Sequence, residues 1–123
     1  MRYLCAVYLE PDALDSLSAT ERATLDRDSL AYDVALQKSG HYIHADALQP
    51  VNTARTVRVR RGKISQTDGP FAETKEILGG FILIEAKSID EAVAIAAKIP
   101  MAQYGSIEVR PSMDISSRDT SSR

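Results

Sequence analysis

The chain predicts an α+β fold: a ferredoxin-like antiparallel sheet with two helices on one face and an extra hairpin. Two observations carry this. The first is the order of elements: strand, helix, strand, a hairpin of two strands, strand, helix, strand, with each helix opened by a capping box. The second is that segments 2–9 and 79–85 are apolar on both alternating faces, the pattern of strands covered on both sides. Two helices cover only one face of a sheet. The other face needs a partner, and a second copy of the same sheet is the simplest one. The expectation is a homodimer packed sheet to sheet as a dimeric α+β barrel, with clefts suited to a small molecule.

Each element has a local reason. Tyr3, Cys5, Val7 and Leu9 alternate with Leu4, Ala6 and Tyr8 in the first strand, which "EPDALD" breaks. "SATE" (18–21) opens a helix over 19–39, and Gly40 stops it. On that helix Leu25, Tyr32 and Leu36 form one stripe and Ala23, Leu30 and Val34 a second, so something beyond the domain's own sheet is expected to touch it. Segment 41–48 reads as a strand. Segment 55–60 alternates Val57 and Val59 with Arg58 and Arg60, predicting one wet face, and "RRGK" (60–63) is a hairpin turn leading to a short strand through Gln66. "SIDE" (88–91) starts a helix with Ala92, Ile95, Ala96 and Ile99 inward, stopped by Pro100, and "SIEVR" (106–110) is the last strand.

The totals bound the function. With 123 residues and 13.5 kDa the chain reads as a single domain over 1–111 followed by a polar tail, 112–123, which is mobile unless something pins it. A net charge of -2 argues against direct nucleic-acid binding, and no apolar stretch is long enough to cross a bilayer. The single cysteine, Cys5, excludes an internal disulfide, points to the cytoplasm and reads as an inert core residue.

Several blocks in order carry a resemblance: "SGHYIHADALQP" (39–50), "TVRVRRGK" (56–63), "TDGPFAETKE" (67–76), "LGGF" (78–81), "SIDEAVAIAAKIP" (88–100) and "IEVRP" (107–111). Over about residues 1–111 the chain resembles the DGPF-motif branch of the YCII-related family. The resemblance implies a ferredoxin-like fold that dimerises into an α+β barrel. It also implies a regulatory association with extracytoplasmic-function sigma factors, and, for the YCII branch, enzymes using a His and an Asp in the barrel cleft.

The candidate chemistry centres on residues 67–76. Asp68, Gly69 and Pro70 form a rigid turn by their own chemistry, and the same rigidity suits Asp68 to anchor or catalyse at a cleft rim. Phe71 is expected as a core plug beneath the turn, and as a residue facing ligand. Glu73, Lys75 and Glu76 read either as solvated loop charges or as a small polar site beside Asp68. His41 and His44 point to opposite faces of a strand and lack a third ligand, so no metal site and no cofactor are expected. His44 is the candidate to face the cleft and pair with Asp68, with His41 and Tyr8 as further ligand contacts. Arg55, Arg58, Arg60, Arg61 and Lys63 make a basic hairpin that is either a protected edge or a docking surface for an acidic protein. Two functions remain: a homodimeric small-molecule-binding or regulatory module, or a small cofactor-free enzyme of lyase or isomerase type using His44 and Asp68.

Overall fold

A computed structural model describes residues 1–72 and 74–118. The readings for Glu73 and for the end of the tail beyond 118 lie outside the described residues. The elements run β1 (Arg2–Leu9), α1 (Ala19–Ser39), β2 (Tyr42–Ala47), β3 (Arg55–Arg60), β4 (Lys63–Asp68), β5 (Ile77–Glu85), α2 (Ile89–Ala96) and β6 (Ser106–Pro111), with 3₁₀ turns at Val51–Thr53, Pro100–Gln103 and Ile115–Arg118. Four strands form an antiparallel sheet in the order β2-β5-β1-β6, and β3 and β4 pair separately as a two-stranded ribbon. The doubly apolar strands β1 and β5 are therefore the central ones. Each βαβ crossover skips one place in the sheet, which is the ferredoxin-like arrangement expected from the order of elements.

The helix termini follow from sequence. Ser18 accepts a bond from the Glu21 amide at 3.1 Å, and the Glu21 carboxylate accepts one from the Ser18 amide at 2.9 Å. At the other end Gly40, at φ 82°, lets the His41 amide reach the Leu36 carbonyl at 2.9 Å and its own amide reach Gln37. The α2 cap is a variant: Ser88 accepts from the Glu91 amide, but the Glu91 carboxylate takes the Lys87 amide rather than that of Ser88.

Both helices lie on one face of the sheet. Tyr3, Cys5, Ile82 and Ile84 meet Leu36 of α1 and Ala92, Ile95 and Ala96 of α2 in one buried cluster. The alanines let α2 approach closely, and full burial of a side chain such as Ile84 contributes about 1.5–3 kcal/mol. The Tyr32 hydroxyl donates to the Ile95 carbonyl at 2.6 Å and so ties α1 to α2.

Four expectations need correction. Helix α2 ends at Ala96, not at Pro100; Ile99 is buried just before a separate 3₁₀ turn that Pro100 opens. The β3–β4 ribbon has no dry face, because it pairs with no other strand and leaves Val57, Val59 and Ile64 exposed. Its turn is a two-residue one with Arg61 at φ 53° and Gly62 at φ 76°, the geometry that suits the right-handed strand twist. The second strand of the ribbon continues past Gln66 to Asp68. Finally, Phe71 is not a core plug: it is 74% exposed, with the Arg58 guanidinium 5.0 Å from its ring centre. An aromatic next to an Arg on a marginal ribbon gains from cation–π contact what the core does not offer it.

Candidate functional site

Among the described residues, no element packs over the second face of the four-stranded sheet, and strand register defines what it displays. Ile107 and Val109 of β6 pack on the helix-side core, which turns Glu108 and Arg110 to the open side. Leu4 lies between Leu83 and Arg110, and Ala6 between Phe81 and Glu108. On β2, His44 pairs with Leu83 and Asp46 with Phe81, while Ala45 faces the core. The open face is thus apolar along its centre, at Leu4, Ala6, Tyr8, Phe81 and Leu83, and polar along both edges.

Each edge carries a two-residue pair formed by strand alternation. His44 Nε2 lies 2.6 Å from an Asp46 carboxylate oxygen, and Arg110 donates to Glu108 at 2.9 Å. The His44 ring also tilts against Phe81, with centroids 6.0 Å apart. If the imidazole donates through Nε2, its Nδ1 is left as the basic nitrogen. The Arg110 guanidinium is held more firmly protonated by Glu108, and Tyr8 adds to this, which places the Tyr8 hydroxyl in the same field.

The β2 geometry depends on a bulge. Between Tyr42 and His44 the strand carries one residue more than β5 opposite, so Tyr42 and Ala45 both reach the core although they are three positions apart. That extra residue turns His44 outward.

The other sequence-derived candidates are dispersed. Asp68 ends β4 in the separate ribbon, where its carboxylate is 3.9 Å from Arg55 Nε; Gly69 follows at φ 96° and donates to the Ala54 carbonyl at 2.8 Å. His44 and Asp68 therefore sit in different sheets with different partners, and the carboxylate beside His44 is Asp46. Lys75 pairs with Glu10 at 3.2 Å. His41 precedes β2 and places Nδ1 2.8 Å from the Glu85 carbonyl and 4.0 Å from Glu91. Phe71 stands on the ribbon with Arg58. Of the proposed set, Tyr8 and His44 share the open face. Asp46, Glu108 and Arg110 were missed, although His-x-Asp in "HAD" and Glu-x-Arg in "EVR" are same-face spacings on any strand.

Gly80 lies where β5 meets β2. A Cβ there would come 2.9 Å from the Asp46 carbonyl oxygen, so the glycine permits the close strand approach that seats Asp46. Among the described residues, no group of three His, Cys, Asp or Glu side chains is placed to hold a metal ion, and no helix is long and apolar enough to cross a membrane.

The uncharacterized protein R00369 of Rhizobium meliloti (strain 1021) is 36% identical over 113 residues, covering 90% of this chain and 91% of that protein. The family model of the YCII-related domain matches residues 1–116, and the chain belongs to the YCII-related family.

Proposed function

We propose that the protein is a homodimeric small-molecule-binding or regulatory module whose two copies join through the open sheet faces. One observation carries the reading: a continuous apolar strip, with Leu4 at 36% exposure and Phe81 and Leu83 half-buried, runs between two polar edges. A second copy of this face is the occupant. A two-fold axis along the strands sets the His44–Asp46 edge of each copy over the Glu108–Arg110 edge of the other. Every edge then offers both a carboxylate and a cation-capable group to its opposite, so the same face is self-complementary. An extracytoplasmic-function sigma factor is the protein partner proposed for a regulatory form, and the basic face of the ribbon, with Arg58, Arg60 and Lys63 on one side, is the surface offered to it.

The His44–Asp46 contact favours a second reading on the same face. Covered by a second sheet, the pair becomes a desolvated acid–base couple in which Asp46 orients the ring and Nδ1 takes a proton from a bound substrate. In this form the protein is a small cofactor-free enzyme of lyase or isomerase type, and Asp46 takes the orienting role first considered for Asp68.

Native mass spectrometry tests both. The expected species is twice the 13.5 kDa chain mass, and Leu83→Asp, with Leu4→Lys as the milder variant, is expected to give a folded single chain. A wild-type monomer, or a dimer indifferent to both substitutions, overturns the interface. A small molecule retained by the wild type and lost in His44→Ala supports the cleft.

A further inference from the structure

We propose that a groove between α1 and the helix side of the sheet binds a linear aliphatic amine as its ammonium ion. This site is separate from the open face and independent of dimerisation through it.

Helix α1 touches the sheet unevenly. Leu25 and Leu36 are buried and Tyr32 reaches α2, yet Leu30 between them is 68% exposed. Beneath that stretch lies a cavity of about 530 Å³, walled by α1, by the ends of the central strands and by the turn at Ile99–Met101. The volume is in the range of small-molecule sites, about 300–1,000 Å³. Its floor is apolar, with Val7, Ala45 and Ile82 below and Leu30 and Met101 beside them.

The charged lining is of one sign. Of the acidic residues beside the groove, Asp26 and Asp33 belong to α1, whereas Asp46 turns its carboxylate to His44 on the open face; no Lys, Arg or His lines the groove. Asp26 and Asp33 are seven residues apart, two helical turns, so they share one side of α1 about 10 Å apart along its axis, with Ser29 and Leu30 between them. Among the described residues neither carboxylate has an ion-pair partner. Asp33 is half-buried, and burial holds its carboxyl above the usual range. A carboxylate that loses water without gaining a counter-charge is relieved by a cation and by nothing neutral or anionic. An apolar floor with carboxylates along one wall therefore fits an alkyl chain carrying an ammonium group. It does not fit a fatty acid or a phosphate.

The test is a ¹H–¹⁵N titration of the full chain with hexylammonium chloride at neutral pH, with hexanol and hexanoate as matched probes. Hexylammonium is expected to shift amides in 26–33 and 99–101, with hexanol at least about tenfold weaker, the effect of removing one charge-assisted contact. Hexanoate is expected to be silent there. Asp33→Asn preserves side-chain shape and is expected to fold; it should weaken hexylammonium about tenfold, and adding Asp26→Asn should weaken it further. Absence of shifts in these segments overturns the proposal. So does equal binding of hexanol, or binding unchanged in the Asp26/Asp33 double variant.

Discussion

Cys5 sits in the middle of the central strand with no solvent exposure, and burial pushes its thiol up to about 11. The thiolate is the reactive form, so the folded protein should resist a thiol reagent such as DTNB near pH 8 and react stoichiometrically once denatured. Prompt labelling of the native chain would contradict the packing described here. The sequence reading of Cys5 as core rested on apolar neighbours at alternate positions, and that signal is local and strong. Readings that depended on what a residue meets across space fared differently. Phe71 was read as a plug beneath the turn, but it is exposed, with Arg58 over its ring. Asp68 belongs to a ribbon that shares no ladder with the main sheet, so proximity in "TDGPF" says nothing of proximity to His44.

At the scale of elements, the glycines of the four-stranded sheet and its borders differ in how closely a neighbouring strand approaches them. A Cβ on Gly105 would lie 2.1 Å from the Tyr8 carbonyl oxygen and 2.5 Å from Leu9 Cδ2, whereas one on Gly79 would make only an ordinary contact at 3.5 Å. Gly105→Ala must push the start of β6 off the end of β1, and an unfolding loss of about 1–3 kcal/mol or more is expected from such overpacking. Gly79→Ala should change the denaturation midpoint little. Equal effects in a urea titration would show that β1 and β6 are not so closely apposed. The boundaries and caps of α1 were readable because Ser18, Glu21 and Gly40 act on their own neighbours within one turn, whereas the end of α2 at Ala96 was not. The sequence of elements and the β3–β4 hairpin were readable, but the order and register of the four-stranded sheet were not, since those pairings join residues far apart in the chain.

For the whole molecule, the separation of the β3–β4 ribbon from the four-stranded sheet makes a deletion informative. Ala54 and Gly69 are joined by a backbone hydrogen bond of 2.8 Å, so the two ends of the excised segment 55–68 are already adjacent. Replacing 55–68 by a short Gly-Ser link should leave a cooperative fold with nearly unchanged far-UV helical signal, because closing a shorter loop costs little. Loss of cooperative unfolding would mean that the ribbon supports the core. The doubly apolar segments are the two central strands of the sheet, with both helices on one face, and alternation records such two-sided apolarity directly. The α1 groove was foreshadowed only by the second apolar stripe at Leu30 and Val34, since a cavity is a relation among three elements rather than a motif in any of them.

The bulge in β2 has a consequence for how this chain can change over time. Side chains on a strand swap sides with every residue added or removed. Loss of one residue between Tyr42 and His44 would carry the imidazole and the Asp46 carboxylate into the greasy interior beside Ile82 and send Ala45 out to water. At this spot the spacing of the chain is thus under tighter constraint than the identity of Ile43 itself. A lineage could replace that side chain with ease, but it could not drop the position without exchanging the inside of the protein for its outside.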